Sequence, residues 1–191
     1  MQIDYTAEQA ALQPKLASAN INPTSFLATD YLNHFNEIVM LMEMVPDMPD
    51  IAEETYEWQP KSYQQHFADS GFTAKDLAIE AFEKAPDPIK TRFTKVCSDI
   101  DELVLKTIEA LKLVNAPERG LSPQASDFIR SRIAEIQHLL MLLNQVIHGK
   151  LEDAVEDTTP TFEEASMAAM MEESGDEEGA QSQEDIDKLF D

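Results

Sequence analysis

Glu135 and His138 stand three positions apart in a strongly apolar run. On a helix that spacing puts a carboxylate and an imidazole on one face, where they could hold a metal ion. A carboxylate-bridged di-metal bundle needs two such motifs and two further glutamates. Only one is present, and His34 with Glu37 has the spacing in reversed order. His34, His66, His138 and His148 are otherwise scattered, so they read as structural or solvated, and neither metal nor cofactor is expected. Nucleophilic chemistry finds little more. Ser70-Gly71 and Ser174-Gly175 lack the flanking residues of a nucleophile elbow, and no Gly-rich phosphate loop occurs. Cys97 falls in an apolar helical stripe without an activating base, which suits a small buried side chain in a reducing compartment. Asn144 and Gln145 are amides inside an apolar helix. They can fix helix register as a buried polar contact, or position a water on a partner's phosphoryl group.

The clearest chemistry is recognition. Ser182 followed three residues later by Asp185 has the spacing of a capping box, which closes orphan donors at a helix start. Ile186, Leu189 and Phe190 then fall at i, i+3 and i+4 and form one apolar face. A helix this short does not hold itself together in water, because nucleation is costly. A groove on another protein supplies the missing packing. The run Thr161 to Glu164, ahead of Met167, Met170 and Met171, offers a second capping-box pattern with a Met-rich face.

The run from Ser182 to Phe190, SQEDIDKLF, resembles the N-terminal peptide by which the flagellar motor switch protein FliM captures phosphorylated CheY. Ser182, Gln183, Ile186, Asp187 and Leu189 match that family's Ser-Gln-acidic-acidic-Ile-Asp-x-Leu-Leu pattern, and Phe190 takes its last apolar place. The resemblance implies a CheY-like response regulator as partner. The layout of residues 86–191 is also similar to that of the chemotaxis phosphatase CheZ, with a long helical hairpin, a linker and a C-terminal docking helix. That family dimerises its hairpins into a four-helix bundle and uses an Asp-x-x-x-Gln pair on the second bundle helix. Here neither Asp99, Asp101 nor Asp127 is followed by glutamine four residues on, so the resemblance carries docking and not phosphatase chemistry.

The elements that must carry these residues read as helices. Only five glycines, few β-branched runs and long patterns of period 3.6 predict an all-α protein without internal repeats. Residues 1–21 form an extension in which Pro14 interrupts a possible short helix. Asn22-Pro23 reads as a helix start, with an apolar stripe from Phe26 to Val45, and Pro46 and Pro49 end this helix near Met44. Met40, Met42 and Met44 read as core. A connector at 46–60 precedes a short helix around Lys61 to Asp69. Thr73 to Asp76 reads as the box opening a helix through Lys84, and Pro86 and Pro88 reset the chain.

From Ile89 to Leu111 apolar residues recur at steps of three and four. A short connection at 116–121 follows, and Ser122-Pro123 caps a second long helix with its stripe from Phe128 to Leu151. These two should fold back as an antiparallel hairpin over 86–151 within a helical bundle of residues 22–151. Leu139 to Leu143 is apolar nearly all round, which predicts burial in the bundle or at a subunit interface.

The chain carries fourteen basic and thirty-seven acidic residues, a net charge of −23. From Glu152 to Asp191 there are fifteen acids and one base, Lys188, with few large apolar side chains. That composition predicts an acidic disordered linker at 152–181 leading to the docking peptide at 182–191. A linker of about 30 residues gives a reach of roughly 30 Å and raises the local concentration of the tethered peptide. The acidic surface disfavours nucleic acid and anionic membranes. No run approaches the length of a membrane helix and the start lacks a signal peptide, so membrane insertion is not expected and the location is expected to be cytoplasmic.

Together these features predict a non-enzymatic helical adaptor that docks a CheY-like response regulator in chemotaxis or flagellar control. A homodimer through the 86–151 hairpin is part of the expectation. A divergent CheZ-like phosphatase using Asn144 or Gln145 and a purely structural oligomerising bundle are the alternatives.

Overall fold

The computed structural model describes residues 3–151, and among them every regular element is a helix. The order is α1 (Ala7–Ser18), a 3₁₀ turn (Thr29–Leu32), α2 (Asn33–Met44), a second 3₁₀ turn (Pro49–Ile51), α3 (Ala52–Thr55), α4 (Tyr63–Asp69), α5 (Lys75–Glu83), α6 (Asp87–Leu113), α7 (Ala116–Arg119) and α8 (Pro123–Ile147). Among the described residues no helix is long and apolar enough to cross a membrane.

Local chemistry explains four of the eight α-helix starts. Thr6 and Gln9 close a reciprocal capping box on α1, and Ser62 and Gln65 close another on α4. Ser122 accepts the Ala125 N–H at the start of α8, with Pro123 as the first helical residue, as the sequence predicts. Pro88 and Asp87 fill the first turn of α6, where a missing N–H does no harm and a carboxylate meets the positive end of the helix.

Two starts differ from expectation. Asn22-Pro23 opens a closed loop and not a helix. The Asn22 side chain accepts the Thr24 and Ser25 N–H groups, its carbonyl accepts Phe26 N–H, and its own N–H donates to Leu27 O. Phe26 sits at φ +68, so the chain turns there, and α2 begins only at Asn33. The box from Thr73 to Asp76 does not form either. A backbone bond from Lys75 N–H to Phe72 O closes a turn, and α5 starts from Ala74 without a side-chain cap.

The core is built where the long helices meet. α6 and α8 share the most extensive helix–helix packing, and α2 lies against α8. Ile89, Phe93, Val96, Cys97, Ile100, Val104, Ile108 and Leu111 of α6 are buried, which is the predicted stripe with Leu103 only half-buried. Ile129, Ile133, Ile136, Leu143 and Ile147 are buried on α8. α1 adds Leu12 and Leu16 to the same core although Pro14 lies inside it. Lys84 ties α1 to α5, pairing with Glu8 at 2.8 Å and Glu80 at 3.0 Å, while Gln9 donates to Lys84 O.

Two apolar stretches are less buried than their sequence suggests. Within Leu139 to Leu143 only Leu143 is buried, Leu139, Leu140 and Leu142 are half-buried, and Met141 is exposed. α8 packs one side on α6 and α2, so its other side faces outward. On α2, Met42 is buried but Met40 and Met44 are exposed, because they lie on the side of the helix opposite the core.

Candidate functional site

The predicted docking residues Ser182, Gln183, Asp185, Ile186, Asp187, Leu189 and Phe190 lie outside the described residues, as do the linker and the Met-rich run from Met167 to Met171. Other residues with chemical potential are placed. Glu135 is held by Arg132 at 3.1 Å, and His138 and His148 are exposed. Asn144 and Gln145 are half-buried in the last turns of α8, where their carbonyls accept the His148 and Lys150 N–H groups. Cys97 is buried, and burial pushes its thiol far above the range in which a thiolate forms. Among the described residues no group of three or more His, Cys, Asp or Glu side chains could hold a metal ion.

What the fold does assemble is a pair of matching pentapeptides. Tyr31-Leu-Asn-His34-Phe35 and Tyr63-Gln-Gln-His66-Phe67 share the pattern Tyr-x-x-His-Phe. The first spans the end of the 3₁₀ turn and the start of α2, and the second is the first five residues of α4. At steps of three and four each pattern presents its three rings on one face. The two faces meet, with Tyr31 and Tyr63 centroids 5.4 Å apart and His34 and His66 centroids 6.4 Å apart. Phe93 of α6 touches both tyrosines at 5.3 and 5.6 Å, and Phe35 and Phe67 are fully buried on either side. This repeated pattern is the signal that a search for longer repeats misses.

Each polar tip in this hub is engaged. Tyr31 donates to Lys61 O at 2.7 Å, and Tyr63 accepts the Ala28 N–H at 2.8 Å. His34 Nε2 accepts the Lys61 N–H at 3.2 Å, its ring stacks on Trp58 at 5.1 Å, and the Trp58 indole donates to His34 O. His66 Nε2 lies 3.1 Å from Asp30 Oδ2, and Lys61 Nζ pairs with Asp69 at 3.0 Å. The connector at residues 56–62 is thereby fastened across the first pentapeptide.

The electrostatics match a closed hub. Burial, with help from the nearby His66 and Lys61, pulls His34 down to about 4, so near neutral pH it is uncharged. That is the form needed to accept from Lys61 N–H, and as long as this bond stands the lone pair is not free to act as a base. Burial and the neighbouring Cys97 and Asp101 hold the Tyr31 hydroxyl protonated. Burial alone raises Asp101, one turn beyond Cys97 on α6, to about 6. Its Oδ1 is buried and has no hydrogen-bond partner among the described residues. A buried acceptor in that condition costs free energy.

The hub therefore works as a clasp between α2, the 56–62 connector, α4 and α6, which fixes the helices that carry the rest of the surface. The chain matches no family model, and no curated protein and no solved structure matches it either.

Proposed function

We propose that the chain is a non-enzymatic helical adaptor of bacterial chemotaxis or flagellar control, and that its C-terminal peptide docks a CheY-like response regulator. The observation that carries this reading is the sequence SQEDIDKLF, in which a capping-box spacing precedes Ile186, Leu189 and Phe190 at i, i+3 and i+4. In this reading Ser182 caps the bound helix and Gln183 accompanies it. The three apolar side chains enter a groove, while Asp185 and Asp187 meet basic residues at its rim. Three anchors at about 1.5–3 kcal/mol each, less the cost of ordering the peptide, correspond to an affinity on the order of micromolar. The helical body is the scaffold that presents the tethered peptide in the cytoplasm.

The packing of α6 along α8 across a short connection supports the reading of 86–151 as a helical hairpin. The proposal needs no second copy. The exposed side of α6 mixes polar Thr91, Thr94, Ser98, Glu102 and Glu109 with apolar Leu105 and Leu113, the latter 87% exposed, so self-association through the hairpin is a separate question that the oligomeric state of the purified chain answers.

The test is a fluorescence titration of a labelled peptide spanning residues 180–191 with CheY-type regulators, with and without a phosphoryl mimic. Saturable binding, lost in the Ile186→Ala plus Phe190→Ala peptide, is the expected result. Absence of binding, or binding indifferent to both substitutions, would sink the proposal. A phosphate-release assay separates the adaptor from a CheZ-like phosphatase. The adaptor leaves the regulator's dephosphorylation rate unchanged or slower, whereas acceleration abolished by Asn144→Ala or Gln145→Ala would establish the enzyme.

A further inference from the structure

Among the described residues four methionines lie outside the core: Met40, Met44, Met48 and Met141. Met40 and Met44 are a helical turn apart on α2, and the Met48 N–H still donates to Met44 O, so Met48 extends the row by another turn. Met40 is 60% exposed and Met48 47% exposed, while Met42 between them is fully buried. Two contacts fix how α2 runs along α8: Gln137 donates to Glu43 at 2.5 Å, and Arg130 pairs with Asp47 at 3.1 Å. Higher numbers on one helix therefore meet lower numbers on the other. One turn beyond the Glu43–Gln137 contact, this register brings Met40 of α2 level with Met141 of α8, which is 55% exposed.

The row is edged with carboxylates. Glu37 and Glu43 on α2 and Asp47 in the turn just past its end are exposed, at steps of three from Met40 or Met44. Arg130 answers only Asp47. Unbranched, polarisable thioethers adapt to different apolar partners and recur on surfaces that bind several targets. An apolar strip under a negative rim is complementary to a helix with an apolar face and basic flanks.

We propose that the Met40–Met44–Met48 row with Met141 is a second docking surface, and that its occupant is a basic amphipathic helix of a partner protein. The surface is separate from the C-terminal peptide and does not depend on the response-regulator reading. Long apolar side chains of the incoming helix lie among the four thioethers, and its Lys or Arg residues reach Glu37 and Glu43.

The test uses the full chain with its methionine methyl groups labelled for NMR. The probe is a synthetic peptide of roughly four helical turns, with Leu and Phe on one face and Lys on the other. Saturable shifts of the Met40, Met44, Met48 and Met141 methyl signals, with the buried Met42 signal little changed, are expected. The Met40→Ser plus Met141→Ser variant should bind about tenfold or more weakly. A peptide of the same composition with its apolar residues scattered should bind far more weakly, and one with Glu in place of Lys should not bind. The proposal is overturned if the scattered peptide binds as tightly as the amphipathic one. Shifts confined to Met167, Met170 and Met171 overturn it too, since they place the attraction in the acidic tail. Methyl shifts that follow protein concentration without peptide also overturn it, because they assign the surface to a second copy of the chain.

Discussion

His34 and Asp101 respond to acid in opposite directions. His34 is held near 4 in the folded chain against an ordinary 6.5, so as pH falls from 6.5 to 4 the unfolded chain takes up the proton first. Its neutral imidazole thus contributes stability that is intact above 6.5 and lost by about 4, a change of about 3 kcal/mol. Asp101 is raised to about 6 from 3.8, so on acidification the folded chain is protonated first and gains stability between 6 and 3.8. The two effects offset each other across most of that range. Asp101→Asn removes the second and leaves the first. Urea unfolding should show the variant more stable than the parent near pH 7, by about 1–2 kcal/mol, and losing stability more steeply toward about pH 5. Parallel pH profiles for the two proteins would contradict this assignment. The two hub tyrosines differ as well. Tyr63→Phe strands the buried Ala28 N–H and should cost about 1–3 kcal/mol. Tyr31→Phe frees only the part-buried Lys61 carbonyl and should cost less in the same unfolding assay.

At the scale of elements, the end of α8 is locked by its neighbours. Ser25 donates to Ile147 O, and Gly149 turns the chain at φ +76. A Cβ at Gly149 would come within 2.6 Å of Thr24 Cγ2. Gly149→Ala therefore combines left-handed backbone strain with a clash and should cost about 1–3 kcal/mol. Adding Thr24→Ala should recover part of the loss, and an unchanged loss in thermal unfolding would assign the whole effect to the backbone.

Elements of this kind were unequally legible. Regular stripes such as Ile89 to Leu111 announce themselves, because a period of 3.6 and burial on one face are the same physical fact. The Asn22 loop did not, since an Asn that caps a closed turn looks like an Asn that caps a helix. Met40 and Met44 read as core because methionine is apolar, yet which arc of α2 faces α8 is decided by packing between distant segments. The Tyr31–Tyr63 hub was hidden for the same reason. Its two pentapeptides are 32 residues apart in the sequence, and only the fold shows that their rings meet. The proposed docking residues rest on a local sequence pattern, three apolar positions and a cap spacing within nine residues, and lie outside the described residues.

For the whole molecule, charge governs how partners arrive. The net charge of −23 favours encounter with basic surfaces and repels acidic ones. Docking through Asp185 and Asp187 should therefore weaken as salt rises, mainly through slower association, and stopped-flow mixing at two salt concentrations measures it. Anchor substitutions such as Leu189→Ala should instead act mostly on dissociation. The central claim is that residues 182–191 give this helical chain its response-regulator partner. Calorimetric titration of the full chain and of a chain ending at residue 181 into a CheY-type regulator carrying a phosphoryl mimic tests it most directly. Binding on the order of micromolar is expected for the full chain and no measurable heat for the shortened one. Equal binding by both, or by neither across the CheY-type regulators assayed, would contradict it.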